Sequence, residues 1–264
     1  MTVMRARRLI AAASVAALGV LSLTACGRTS PDVAAYVGDR TYSVDRVDAV
    51  YDDAQARFAE AVRQSATQAG ITPTAEQLRS PVTRQDVLNL LVSIELGKRI
   101  AADQGVSVPD QVTPDQLAQQ LQMPPQAEYA KLWGEWADIS IALTQKLPPA
   151  ELSDESVMAV YQAIAKAGGI QTGLSVAQVR QLFGEGGFVR TASALSAAME
   201  KEADEVNLSV NPRYRPLGVP SWVNKGQELV FYALPYVESG SPVTDISTPE
   251  PVSTPAEQNA PVAP

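Results

Sequence analysis

The segment TRQDVLNLLVSIELGKRIAADQGVSV, Thr83 to Val108, carries the strongest structural signal in the chain. Val87, Leu88, Leu90, Leu91, Val92, Ile94, Leu96 and Ile100 recur at helical spacing and form a wide apolar stripe. A helix resting on a surface needs only a narrow stripe, so this one is expected at the centre of a core. Thr83 stands where an N-cap belongs, with Asp86 three residues on as a short capping-box partner. Lys98 and Arg99 suit the negative pole at the far end. Gly105 fits a left-handed C-cap, with Val106 as the apolar residue just beyond it.

Helical patterns flank this segment on both sides. Upstream, Ser43 caps a pattern of Val44, Val47, Val50, Tyr51, Ala54, Phe58, Ala61 and Val62, which Gly70 ends near residue 69. Before it, residues 33–37 read as a strand, Gly38-Asp39 as a two-residue turn and residues 40–42 as a return strand. Two prolines make residues 71–82 a loop. Downstream, residues 106–112 are extended, and Thr113-Pro114 predicts a helix to about Leu121. Further helices are expected over 126–146, 155–166, 176–183 and 188–203, the last opening after the break at Gly184 to Gly187. The pattern then changes. Residues 206–210 alternate like a half-buried strand, and 228–234 form a second apolar run of strand length.

The N-terminus has the order of a secretory signal. Arg5, Arg7 and Arg8 precede an apolar run from Leu9 to Leu23. That run is about 15 residues, and a bilayer span needs about 20. Leu23-Thr24-Ala25-Cys26 resembles the bacterial lipobox, which implies lipid transfer to the Cys26 thiol and cleavage before it. Two or three acyl chains anchor stably where one does not. Cys26 is the only cysteine, so disulfides and thiolate metal sites are excluded. The net charge of −8 includes the three leader arginines. Processing takes it to about −11, which argues against a nucleic-acid partner. The chain has no histidine, which removes His-based triads and His metal sites.

Three pieces in order resemble a known family. They are the β-turn-β with its capped helix, Ala34 to Ser43; the apolar helix from Val87 running into Gly105 and Val106-Ser107-Val108; and Val210-Asn211-Pro212-Arg213-Tyr214 after a long final helix. The order is similar to the N-terminal chaperone region of SurA-like and PrsA-like secreted foldases, in the form of actinobacterial-type lipoproteins carrying a SurA N-terminal-like domain. The resemblance covers roughly residues 33–215. It implies a mostly α, multi-helix domain in which a small β element joins the N- and C-terminal segments. It also implies binding of unfolded or extended polypeptide on an uncharged, groove-like surface. Many members insert a parvulin isomerase domain. This chain has no strand-rich insert between Gln111 and Ser153. Gly186-Gly187-Phe188 is only faintly similar to a parvulin glycine pair, and no histidine stands near it.

The expected organisation is therefore a signal peptide over 1–25, a tether over 26–32, one helical domain over 33–236 and a disordered Pro/Ser/Thr-rich tail over 237–264. Tyr129, Trp133, Trp136 and Tyr161 are the candidates to line a peptide groove, although aromatic residues at helical spacing are more often core. Asp52-Asp53 and the run Glu200, Glu202, Asp204, Glu205 read as solvated faces. There is no Gly-rich phosphate loop, nucleophile elbow or zinc spacing, so no cofactor, no metal and no catalytic residue are expected. The expected partners are unfolded secreted polypeptides and a membrane reached through lipid on Cys26. An adaptor for one envelope protein is the alternative, and a degenerate prolyl isomerase the third reading.

Overall fold

The computed structural model describes residues 30–226 and 228–237. The leader, Cys26 and the expected tail over 237–264 lie outside the described residues, except Val237, which ends a strand and belongs to the domain. The chain forms strands β1 (Val33–Val37) and β2 (Arg40–Ser43), then helices α1 (Val44–Gln68), α2 (Arg84–Asp103), α3 (Pro114–Ala118), α4 (Glu128–Lys146), α5 (Asp154–Lys166), α6 (Val176–Phe183) and α7 (Gly187–Glu205). Strands β3 (Ser209–Val210), β4 (Leu217–Lys225) and β5 (Glu228–Val237) follow. The fold is mostly α with small antiparallel sheets.

Helix α2 is the centre. Every residue from Val87 to Gly97 is buried, so the helix has no solvent face along three turns. Helices α1, α4 and α7 and strands β1 and β4 cover it. Its capping box forms as the sequence predicts: the Thr83 hydroxyl accepts from the Asp86 N–H at 3.1 Å, and the Asp86 carboxylate accepts from the Thr83 N–H at 2.9 Å. Its other end closes through left-handed Gly105, with the Val106 N–H donating to the Ala101 carbonyl at 2.8 Å. Gly97 lets α4 approach closely. A Cβ there would lie 2.6 Å from Ile139 Cγ2 and 3.1 Å from the Trp136 ring.

The two ends of the domain meet in one sheet of order β2-β1-β3. Ala35 pairs with Val210 and Tyr36 with Ser209. Asn211 extends the seam: its N–H donates to the Ala34 carbonyl at 2.9 Å and its amide to the Val33 carbonyl at 3.2 Å. Strands β4 and β5 form a separate hairpin.

Three expectations need correction. The strand over 206–210 is only Ser209–Val210, because α7 runs on to Glu205. Asn207 takes a left-handed φ of 52°, and the Leu208 N–H closes the helix on the Ala203 carbonyl at 2.8 Å. The alternation of Val206 and Leu208 is thus that of a helix ending, not of a strand. Helix α3 stops at Ala118 rather than Leu121, where Gln122, at φ 51°, turns Met123 into the core. The strand expected over 228–234 continues through Pro235 to Val237, and its partner β4 contains Gly218 and Pro220. Both prolines fall at positions whose N points away from the partner strand, so neither removes a ladder bond.

Candidate functional site

The four aromatic candidates do not line a surface. Tyr129, Trp133, Trp136 and Tyr161 are 6, 5, 0 and 4% exposed, so they are core residues and offer nothing to a client. The two tryptophans are covered by the hairpin, which lies on the α4 face that carries them. Trp136 Nε1 donates to the Pro220 carbonyl at 2.6 Å. Trp133 stacks edge-on against Trp222 with centroids 6.1 Å apart and tilts against Phe231 at 4.9 Å. The Tyr161 hydroxyl accepts from the Leu174 N–H at 2.8 Å and donates to the Gln171 carbonyl at 2.9 Å, tying the loop after α5 to its helix. Burial pushes the Tyr129 hydroxyl far above its ordinary range, so it stays neutral.

A different groove is present. It has a volume of about 730 Å³ and runs between the C-terminal half of α4, the start of α7 and the β4 strand. Ile141 and Thr144 face it from α4, Phe188, Ala192 and Leu195 from α7, and Pro220 to Lys225 from β4. Its rim carries Leu182 and Phe188, 53 and 42% exposed. Among the described residues only Ile71 is another large apolar side chain so open to solvent. Lys225 is the one charged residue among the described lining residues, in a chain with an excess of acid. Its ammonium donates to the Gly168 carbonyl at 3.0 Å and keeps two further donors.

The glycine cluster builds this rim. Gly184 and Gly186 have φ of 58° and 64°, and a Cβ on Gly186 would lie 2.8 Å from Leu152. The sharp reversal stacks Phe183 on Phe188, centroids 4.9 Å apart at 75°, and leaves Leu182 and Phe188 outermost. The cluster opens α7, as the sequence implied. The apolar residues on either side, Leu182 and Phe188, were the available signal for the groove.

The acidic candidates separate. Asp52 is exposed, whereas the Asp53 carboxylate accepts from the Glu128 N–H at 2.8 Å and caps α4. In the run 200–205, Glu202 is buried rather than solvated. Burial, with Asp103 and Glu205 nearby, raises its carboxyl above the ordinary range. Asp138 lines a smaller, polar pocket of about 360 Å³, but its carboxylate accepts from the backbone N–H groups of Gln111 and Val112 at 3.0 and 2.9 Å. Those bonds hold the extended segment before α3 and give Asp138 a structural role. Among the described residues no cluster of three or more His, Cys, Asp or Glu is placed to hold a metal ion, and no helix is long and apolar enough to cross a membrane.

Comparison of the chain with protein-family models, with curated proteins and with solved structures finds no match.

Proposed function

We propose that this protein is a lipid-anchored, extracytoplasmic binder of unfolded or extended polypeptides that works without catalysis. The observation that carries this reading is the groove beside β4: open, apolar on two walls, rimmed by Leu182 and Phe188, and with Lys225 the one charged side chain among its described lining residues. Exposing large apolar side chains around a concavity is costly in water and marks a surface that is covered in use. The leader and Leu23-Thr24-Ala25-Cys26 support the location, and the similarity to SurA-like foldases supports the class of client. Clients bind here in place of the aromatic quartet of α4 and α5.

The test uses the chain from Gly27, which contains every described element, against a reduced, unfolded client. The wild-type chain suppresses aggregation, and the double variant Leu182→Ser/Phe188→Ser loses most of that effect while still unfolding in one cooperative transition, its melting temperature lowered only by the lost Phe183–Phe188 contact, worth about 0.5–1.5 kcal/mol. Suppression equal to wild type in the double variant removes the groove from the reading. In cells, Cys26→Ser abolishes acyl labelling and releases the chain from the membrane fraction. Pull-down of one stoichiometric partner, with no suppression, favours the adaptor reading instead.

A further inference from the structure

One wall of the groove is unfinished backbone. The register of β4 against β5 is regular from Gly218 to Lys225, so alternate residues turn their N–H and C=O away from β5. Gly218 and Pro220 are of that set. The Gly218 N–H donates to Asn89 Oδ1 at 2.8 Å, and the Pro220 carbonyl accepts from Trp136. The buried half of this edge is therefore closed by side chains and by a proline that has no N–H. Trp222 and Asn224 continue the same set, and among the described residues nothing bonds their outward backbone groups. They line the groove. The outer edge of β5 differs, because Gln120 Oε1 accepts from the Leu229 N–H there at 3.3 Å.

We propose that the groove takes its polypeptide as an added strand. An extended segment pairs with β4 along Trp222 and Asn224, alternate apolar side chains enter the groove, and an acidic residue near the end of the segment meets Lys225. This rests on the groove being the polypeptide-binding site. The open edge distinguishes a polypeptide from an acyl chain of equal apolarity. An acyl chain would shield the N–H and C=O of Trp222 and Asn224 from water and leave them unpaired, whereas a peptide main chain satisfies them. Charge points to the acidic end, because the protein bears a net charge of −8 yet the described residues that line this groove include a lysine and no acid.

The probe is the peptide acetyl-Val-Ser-Val-Ser-Val-Ser-Asp, titrated into the chain from Gly27. Two N-methylated forms are compared, one with the valine amides blocked and one with the serine amides blocked. In an added strand only one set faces β4. That form binds about tenfold more weakly, roughly 1.4 kcal/mol, and the other binds as the parent does. Asn224→Pro removes an outward N–H without touching the β4–β5 ladder and weakens binding similarly, while Asn224→Ala does not. Exchanging the terminal Asp for Lys weakens binding and abolishes the loss of affinity that added salt causes in the parent peptide. Equal losses from both methylated forms, or no loss from either, overturn strand addition. A parent peptide that fails to bind a chain still able to suppress aggregation overturns it too, and leaves the client reading standing. Failure of both peptide binding and suppression removes the client reading and this inference together.

Discussion

At the residue scale, two side-chain positions show opposite limits of what a buried helix accepts. Gly97 faces the β-branched Ile139 and the Trp136 ring, both buried. Alanine is the better helix former by about 1 kcal/mol. A methyl 2.6 Å from Ile139 Cγ2 has nowhere to go, and overpacking costs about 1–3 kcal/mol. The contact wins, so Gly97→Ala is expected to destabilise the protein by about 1–2 kcal/mol in urea unfolding. Glu202 is the opposite case, a buried carboxylate with Asp103 and Glu205 as like-charged neighbours and only Arg99 and Lys201 to compensate. Its folded-state value is raised above the unfolded one. Its contribution to stability is therefore fully present below the unfolded carboxyl range and is lost as pH rises through the raised folded value. Glu202→Gln keeps the shape and removes the charge. Thermal melts near neutral pH should show the variant more stable than wild type, and the gap should close at about pH 4 and below.

At the scale of elements, caps were the most legible part of the chain and sheet partners the least. Ser43, Thr83, Ser153 and Ser175 each stand at an N-cap, and each hydroxyl accepts from the backbone three residues on. That chemistry is local, which is why four letters of sequence suffice to read it. The end of α7 was missed because Asn207 can serve a left-handed C-cap or a strand-edge turn equally well, and only the Leu208–Ala203 bond chooses. Asn207→Val should cost about 1–2 kcal/mol, since a β-branched side chain resists positive φ, while Asn207→Gly should be close to neutral. Equilibrium denaturation of the two variants measures the difference. Strand β4 escaped notice for a related reason. Gly218 and Pro220 read as breakers, and their tolerance depends on which side of the strand their backbone faces. No single strand carries that information.

At the scale of the whole molecule, the last thirty described residues hold the core shut. Strand β3 joins β1, and the hairpin covers α2 and α4 through Asn89, Trp133 and Trp136. A chain ended after Leu208 keeps helices α1 to α7 but uncovers these side chains and leaves the Asn89 amide without its partner. It is expected to lose its cooperative thermal transition and to show tryptophan fluorescence shifted toward that of solvent-exposed indole. The same hairpin explains why the groove could not be read in advance. The aromatic quartet was the natural candidate by composition, yet its indoles are consumed as the surface on which the hairpin lies. The less conspicuous Leu182 and Phe188 are left at a rim by a glycine reversal. The helical class, the buried centre at α2, the caps and the strand-forming ends are legible in the chain alone, because periodicity and capping act within a few residues. Which apolar face is covered, which strand edge stays open and where a groove remains are set by packing. Those outcomes depend on pairings between segments more than a hundred residues apart, such as Gly218 with Asn89, and no local pattern encodes them.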